Sequence, residues 1–188
     1  MRERCRRNFR RCGILPARGR LIHAMELILR PALPSDYDAV RVINEGAVPD
    51  VSSITMDELH GLAKQCCDFT VVLADGQVAA FMMAMQEGQP YQSLNYLWFA
   101  DRYEKFVYVD RIAVSSAFKG RGIGRALYSN IENFARDVAP VLTCEVNLIP
   151  LNADSLAFHR KLGFTEVGQQ DTEGGKKRVS LLVKLLSK

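Results

Sequence analysis

The stretch Tyr108-Val-Asp-Arg-Ile-Ala-Val-Ser-Ser-Ala-Phe-Lys-Gly-Arg-Gly-Ile-Gly-Arg-Ala-Leu127 decides the fold of this chain. An apolar run that predicts a strand leads into three glycines at alternate positions, and a helical pattern follows them. Glycines let the backbone turn tightly, and the free amides and dipole of a helix N-terminus attract an anion. Lys119, Arg121 and Arg125 add positive charge around the glycines. The stretch therefore predicts a binding site for a diphosphate group.

The spacing of the glycines excludes two common phosphate-binding motifs. The phosphate loop Gly-x4-Gly-Lys-Ser/Thr does not occur in the chain. The dinucleotide motif Gly-x-Gly-x-x-Gly fails in both registers, because Arg125 and Leu127 stand where a third glycine is needed. The diphosphate therefore belongs to a different kind of ligand.

Two segments resemble the GNAT superfamily of N-acetyltransferases. Lys119-Gly-Arg-Gly-Ile-Gly124 is similar to its acetyl-CoA motif Gln/Arg-x-x-Gly-x-Gly/Ala, with a lysine at the first position. Asn152-Ala-Asp-Ser-Leu-Ala-Phe-His-Arg-Lys-Leu-Gly-Phe164 resembles the segment Asn-x-x-Ala-x-x-x-Tyr-x-x-x-Gly-Phe, with Ser155 for alanine and His159 for tyrosine. Both motifs in this order are more specific than either alone, and the resemblance covers roughly residues 25–186.

The periodicity of the apolar residues predicts a single α/β domain over residues 25–188. The predicted order β-α-α-β-β-β-α-β-α-β-β is the order of the GNAT superfamily. The resemblance implies a mixed, mostly antiparallel sheet of roughly six to seven strands flanked by about four helices. Its central strands, residues 105–114 and 141–147, are expected to splay apart. Residues 87–104 are predicted to form a long aromatic connection.

Composition is that of an ordinary globular domain. The chain has 188 residues, of which 48% are hydrophobic and 24% charged. It has no apolar stretch of about 18 residues, so no membrane span is expected. Its five cysteines and three histidines lack metal-ligand spacing, so no metal is expected. Reduced thiols are typical of a cytoplasmic location, which we therefore predict.

The net charge of +4 comes from the first 24 residues. This segment holds eight arginines and one glutamate, whereas the remaining residues are net acidic. One interpretation is a basic arm for nucleic acid. The other, which we adopt, is an extension upstream of a natural start at Met25, because Glu26–Arg30 resembles the family's first strand. On this interpretation no nucleic-acid partner is expected.

The resemblance implies that acetyl-CoA lies in the gap between the splayed strands. Its diphosphate would contact the amides of residues 120–124, and its pantetheine arm would pair with the backbone of residues 112–114. Asn152 would either bond the cofactor or cap its own helix. The predicted cofactor-binding residues are Ile112, Ala113, Val114, Lys119, Gly120, Arg121, Gly122, Ile123, Gly124, Arg125, Asn152 and Ser155.

Two carboxylates are candidates for the base that transfer to an amine would use. Asp110 is the first candidate, since polyamine-acetylating relatives have a glutamate at this spacing that is proposed as their base. On strand alternation, Asp110 is expected to share a face with Tyr108 and Ile112. Glu145 on the neighbouring strand is the competitor. Either carboxylate could instead form a buried ion pair.

His159 is the candidate acid. It stands where the family usually has the tyrosine that protonates the departing CoA thiolate, and an imidazole titrates near neutral pH. The alternatives are a histidine on the helix surface, with Tyr108 or Tyr128 as a phenolic donor.

Acceptor binding is predicted mainly in the aromatic segment Gln89–Tyr103. The candidates are Tyr91, Tyr96, Trp98 and Phe99, with Tyr108 and Asn147 on the central strands. Aromatic rings attract cations, and the acidic domain favours a cationic amine. The alternative is that the four aromatics form the core of a lid or a homodimer interface.

The sequence therefore predicts an N-acetyltransferase that moves the acetyl group of acetyl-CoA to a primary amine of a small molecule or peptide. Direct attack in a ternary complex is the expected route. The alternative is a non-catalytic acyl-CoA-binding sensor or scaffold of the same fold, because the usual tyrosine is replaced.

Overall fold

The computed structural model describes residues 26–187. The predictions about residues 1–24 and a start at Met25 lie outside this range. Within it, no helix has the length and apolar character needed to cross a membrane. The same residues contain no group of three or more potential ligands placed to hold a metal ion.

Seven strands form one mixed sheet in the spatial order β1-β2-β3-β4-β5-β7-β6. All neighbouring pairs are antiparallel except β4 and β5, which run parallel. The predicted mixed, mostly antiparallel sheet is therefore confirmed. The strands are β1 (Leu27–Pro31), β2 (Asp68–Ala74), β3 (Gln77–Gln86), β4 (Val107–Val114), β5 (Val141–Ile149), β6 (Thr165–Thr172) and β7 (Lys177–Leu185).

Within residues 26–187, five α-helices flank the sheet, one more than the sequence suggested. The extra helix is α3, within the segment that was predicted to be a long aromatic connection. It has only seven residues, too few to show a helical period, and it buries Tyr96 and Phe99. The helices are α1 (Tyr37–Glu45), α2 (Met56–Gln65), α3 (Leu94–Ala100), α4 (Ile123–Val138) and α5 (Ala153–Lys161).

The sequence also predicts a hairpin turn at Asp75-Gly76 and a capping box over Thr55-Met-Asp-Glu58, and the structure has both. Asp75 and Gly76 take positive φ angles of 49° and 81° and join β2 to β3 as a tight hairpin. Thr55 caps α2 by accepting from the Glu58 amide, and the Glu58 carboxylate accepts from the Thr55 amide.

The sheet separates two hydrophobic cores. On one face, α4 and α5 pack on the sheet, with Leu127 and Ile131 in the core. On the other face, α1, α2 and α3 contribute Val40, Leu59 and Phe99. Each strand alternates between these faces, so a side chain's position along β4 or β5 decides which core it enters.

The central strands β4 and β5 separate soon after they begin. They pair only through Val107 with Leu142 and Tyr108 with Thr143. The later residues of both strands pair with β3 and β7 on their outer sides. This confirms the predicted splay and leaves a gap through the middle of the sheet.

Candidate active site

A single large cavity follows the gap between β4 and β5. Its volume is approximately 1020 Å³, which is at the upper end of the range for small-molecule sites. The glycine loop and the N-terminus of α4 line one end. The C-terminal part of α1, residues 50–52 and the start of α3 line the other. We call these the donor end and the acceptor end.

The donor end is built from backbone. Gly120 and Gly122 have φ angles of +77° and +79°, which strongly favour glycine at both positions. Gly122 is the N-cap of α4, whose first intrahelical bond runs from the Ala126 amide to the Gly122 carbonyl. The amides of residues 123–125 therefore have no partner within the helix. These amides are therefore available to an anion, and anion binding by this glycine cradle stays a prediction.

The surroundings of the cradle fit a diphosphate. A side-chain carbon at Gly120 or Gly122 would meet nothing within 4 Å, so the space in front of the loop is open. Lys119, Arg121 and Arg125 are all exposed around it. Arg121 also lies over the Phe118 ring at 5.4 Å.

The last glycine of the loop has a packing role. A side-chain carbon at Gly124 would lie 3.3 Å from the Phe158 ring, so glycine lets α4 approach α5. Asn152 caps α5, because its Oδ1 accepts from the Ser155 amide at 3.0 Å. The capping interpretation of Asn152 is therefore realised, and Asn152 and Ser155 also line the cavity.

The predicted pantetheine edge lies in the cavity wall. Ile112, Ala113 and Val114 all line the cavity, on the part of β4 that has left β5. Backbone groups on this edge are open to an added extended chain, as at any unpaired strand edge.

A β-bulge interrupts β4 next to the gap. Met83 lies opposite Arg111, but the next residue, Ala84, lies opposite Val109. Asp110 is therefore the extra residue on its strand. A bulge re-aims side chains locally, and here it turns both Asp110 and Arg111 toward the acceptor end of the cavity.

The bulge corrects one prediction from strand alternation. Tyr108 and Ala113 pack in the core beside α1, α2 and α3, whereas Ile112 packs in the core beside α4. The alternation is thus inverted across Asp110. The expectation that Tyr108 and Ile112 share a face with Asp110 is wrong, because the extra residue shifts the period.

Both oxygens of Asp110 have partners. Tyr91 Oη donates to Oδ1 at 2.6 Å, and Arg111 Nε donates to Oδ2 at 2.7 Å. Arg111 Nη1 also donates to Asn44 Oδ1 at 3.0 Å and lies 3.5 Å from the Ser52 carbonyl. The Asp110 side chain is only 4% exposed. Asp110 and Arg111 therefore form a buried ion pair, and the bond from Arg111 to Asn44 joins β4 to α1.

Glu145 differs from Asp110 in having an unsatisfied oxygen. Its Oε2 has no hydrogen-bond partner among the described residues, and neither does the nearby Tyr108 hydroxyl. Burial and the negative charge of Asp110 raise the pKa of Glu145 to about 8, and the nearby polar groups of Tyr108 and Asn95 offset part of this rise. Glu145 lines the cavity. A carboxyl with this pKa can accept a proton at neutral or mildly alkaline pH.

His159 is buried and hydrogen-bonded at both ring nitrogens. Nδ1 lies 2.7 Å from the Ser155 carbonyl, which can only accept, so Nδ1 carries a hydrogen. Burial lowers the pKa of His159, which favours the neutral ring. Nε2 is then an acceptor, and Tyr128 Oη, 2.6 Å away, donates to it. His159 and Tyr128 thus form one hydrogen-bonded pair in the cavity wall.

The aromatic candidates for acceptor binding lie in different places. Tyr91 lines the cavity. Tyr96 and Phe99 are buried in the core, and Tyr96 Oη donates to the Gln86 carbonyl. Trp98 packs on Gly168 of β6. Tyr96, Phe99 and Trp98 therefore have packing roles in the structure, and acceptor contact stays a prediction for Tyr91.

The two candidates on the central strands also lie in different positions. Asn147 lines the cavity and donates to the Pro49 carbonyl at 3.0 Å, which ties β5 to the loop after α1. Tyr108 is fully buried behind the cavity wall, next to Glu145.

Sequence reasoning underestimated two residues. Tyr128 was considered only as a packing residue or a substitute donor, yet it bonds the candidate acid. Asn44 was not considered, yet it holds Arg111. Neither contact has a local signal, because the partners are 31 and 67 positions apart along the chain.

Comparison with known proteins agrees with this fold and cavity. The model of the acetyltransferase (GNAT) family matches residues 37–164, which is more than half of the chain. The chain therefore belongs to the acetyltransferase (GNAT) family. The expected family is confirmed, and with it acetyl-CoA as the cofactor. No curated protein sequence matches the chain.

Solved structures with the same fold are distant in sequence. Ard1 from Thermoplasma volcanium has a TM-score of 0.71 and 16% identity, over 86% of this chain and 99% of that one. The ribosomal-protein-S18-alanine N-acetyltransferase from Escherichia coli has a TM-score of 0.66 and 18% identity, over 87% and 96%. The acetyltransferase yncA from Salmonella typhimurium, solved with its cofactor acetyl-CoA, has a TM-score of 0.67 and 21% identity, over 87% and 95%.

Proposed function

We propose that this protein transfers an acetyl group from acetyl-CoA to a primary amine of a small molecule or peptide, with both substrates bound at once. One observation carries the proposal: Glu145, whose buried Oε2 has no hydrogen-bond partner among the described residues, lines the same cavity as the glycine cradle. A binding protein without chemistry needs the cradle, but it has no need of an unsatisfied buried carboxyl beside it.

The donor end has the residues that would hold acetyl-CoA. Free amides at the start of α4 would bind the diphosphate, with Lys119 and Arg125 as counter-charges. The backbone of residues 112–114 would pair with the pantetheine arm. When bound, the cofactor supplies a thioester carbonyl that an amine can attack. The presence of acetyl-CoA in the solved structure of yncA, which has the same fold, supports this part of the proposal.

Glu145 is the proposed base. An alkyl ammonium has to lose a proton before its nitrogen can attack. The buried Glu145 Oε2 has no hydrogen-bond partner among the described residues and would accept that proton, directly or through one water. Asp110, the first candidate from the sequence, has both oxygens occupied by Tyr91 and Arg111. We therefore assign Asp110 a positioning role: it orients Arg111, and its charge raises the pKa of Glu145.

His159 is the proposed source of the proton for the leaving thiolate, acting through Tyr128. In the neutral pair, the Tyr128 hydrogen is directed at Nε2. When the ring is protonated, Nε2 becomes the donor to Tyr128 Oη and frees the Tyr128 hydrogen. Tyr128 can then protonate the sulfur as it takes the Nε2 proton, and the ring returns to its neutral form. One proton moves from the imidazolium to the thiolate.

The test is acetyl transfer by the full chain to a panel of primary amines, followed as release of CoA thiol and as acetylated product. CoA binding is measured in parallel by calorimetry. We expect the wild-type enzyme to bind CoA and to acetylate an amine. Glu145→Gln should still bind CoA but lose most of its turnover. Tight CoA binding without turnover on any amine would instead support a sensor or scaffold and contradict the proposed function.

A further inference from the structure

The charges in the cavity wall are unevenly divided. Carboxylates outnumber cations away from the glycine loop, where the described wall has Arg111 and Lys177 as its cations. Both are ion-paired: Arg111 with Asp110 at 2.7 Å and Lys177 with Glu173 at 2.9 Å. The ionisable acids of the wall are Asp50, Asp110, Glu145, Asp154 and Glu173. Outside the donor end, the cavity is therefore an environment of excess negative charge.

Arg111 is the cation of the wall whose charge acts on Glu145, and it is firmly held. Its guanidinium contacts Asp110, the Asn44 amide oxygen and the Ser52 carbonyl, and the residue is 9% exposed. A substrate anion at Arg111 would compete with the Asp110 carboxylate that already neutralises it. Full displacement would leave the Asp110 carboxylate buried without its counter-ion, which is strongly unfavourable.

A substrate carboxylate would also lie among like charges. Free α-amino acids carry a carboxylate on the same carbon as the amine, so binding the amine near Glu145 brings that carboxylate near Asp110 as well. Juxtaposed like charges in a desolvated site are strongly disfavoured. An amide or alkyl group at that position has no such penalty.

The rim of the acceptor end is partly apolar. Val42 on α1 and Leu94 on α3 both line the cavity and are 66% and 57% exposed. Such a rim suits an aliphatic substituent on the acceptor.

We propose that the acceptor is a primary amine in which the carbon that carries the amine has no carboxylate, such as the amide of an apolar amino acid or an alkylamine. This inference rests on the proposed function and deepens it by excluding free α-amino acids as good substrates. The geometry that carries it is the engagement of Arg111 and Lys177 by carboxylates of the same wall.

Three matched amines test it on the full chain: leucine, leucinamide and isoamylamine. They share an aliphatic side chain and differ at the carbon that carries the amine. The amine of leucinamide is less basic than that of leucine, and the amine of isoamylamine is more basic. A preference for both over leucine therefore reports the effect of the carboxylate and not the fraction of neutral amine. We expect kcat/KM for both to exceed that of leucine by at least about tenfold, because only leucine places a second anion in the site.

A variant comparison sharpens the test. Asp110→Asn removes the carboxylate that engages Arg111, so the preference for isoamylamine over leucine should fall toward one, whatever its effect on the absolute rate. Asp101→Asn makes the same change on a surface residue outside the cavity wall and should keep the wild-type preference.

Each outcome has one meaning. Leucine used as well as isoamylamine by the wild-type enzyme overturns this inference and leaves the proposed function standing. Transfer to none of the three amines, while other amines of the panel are acetylated, contradicts the inference alone, and transfer to no amine at all contradicts the proposed function as well. A preference unchanged in Asp110→Asn contradicts the role given to the Arg111 pair.

Discussion

The donor end and the acceptor end of the cavity are built in different ways. The donor end uses backbone amides from one short segment, residues 120–125, whose side chains are small or exposed apart from the buried Ile123. The acceptor end uses buried side chains from α1, α3, β4 and β5, held together by hydrogen bonds between distant parts of the chain. A backbone cradle recognises the constant diphosphate of the cofactor, whereas side chains can change to suit one acceptor.

The two ends also differ in charge. Exposed cations surround the glycine loop, while carboxylates predominate along the rest of the wall. If the acceptor is the amine that we propose, the polyanionic donor and the cationic acceptor would each be attracted to their own end and repelled from the other. We expect this division to orient the two substrates before any specific contact forms.

The largest effect is expected from a substitution that disrupts the donor end alone. Gly122→Val places a β-branched residue at a φ of +79°, which is strained, and directs its side chain into the open space of the cradle. We expect CoA affinity to fall by more than about 100-fold, since strain and the lost amide contacts add. Calorimetric titration with CoA measures this directly.

The matched control for that change is Gly76→Val. Gly76 has a φ of +81° and equally open surroundings, but it lies in the β2–β3 hairpin outside the cavity wall. It should lose similar stability and keep its CoA affinity. Equal loss of affinity in both variants would mean that strain, and not the cradle, explains the result.

The next largest effect is expected from a substitution at the acceptor end. Glu145→Gln removes the proposed base and should lower turnover by about 100-fold, the lower end of the range for general base catalysis, with CoA affinity nearly unchanged. In the Tyr128→Phe background, where His159 can no longer pass on a proton, turnover should rise with pH up to about 8, because the base acts in its ionised form. Loss of this rise when Glu145→Gln is added, in a pH profile of kcat, is the specific signature.

Stability gives an independent check on Glu145. Its folded-state pKa of about 8 is above the ordinary value of 4.5, so folding favours the neutral carboxyl. The stabilisation is fully present below pH 4.5 and is lost as the pH rises through 8. The amide introduced by Glu145→Gln cannot ionise, so the Tm of this variant should fall less than that of the wild type between pH 6 and about 9. Parallel Tm curves would contradict a raised pKa.

A smaller effect tests the link between the two ends. Tyr128→Phe and His159→Gln should each lower turnover by about 10-fold to 100-fold, at or below the lower range for general acid catalysis. Because the two side chains act as one unit, the double variant should be no slower than the slower single variant. Multiplicative losses in a double-mutant cycle of kcat would show that the two residues act separately.

The same contrast explains what the sequence could predict. Glycine spacing, strand alternation and turn residues are local signals, and they predicted the cradle, the order of elements and the β2–β3 hairpin. The bulge at Asp110 has no local signal, because it depends on which residue of β3 lies opposite. The pairing of Tyr91 with Asp110 likewise depends on packing, so the sequence offered two candidate bases and only the structure shows which one is unpartnered.

The smallest effect concerns the support behind the acceptor end. An added side-chain carbon at Gly168 would lie 2.8 Å from Cζ2 of Trp98, and Arg102 covers the indole ring at 4.0 Å. The ring therefore has little freedom to move away, and Gly168→Ala should push α3 from β6. We expect a loss of about 1–3 kcal/mol in the free energy of unfolding, as for other overpacked sites.

The displacement should reach the acceptor through Asn95, which lies on α3 in the cavity wall and accepts from Gln170 of β6 at 3.1 Å. Acceptor KM should rise by only about two- to threefold, since a small shift of one wall residue costs less than one hydrogen bond. CoA affinity should not change. Gly61→Ala is the control: Gly61 lies in α2 with open surroundings, and alanine there should leave KM unchanged and stabilise the helix. An unchanged unfolding free energy in Gly168→Ala would show that α3 is free to adjust. The aromatic segment would then not be the rigid support of the acceptor end that its packing indicates.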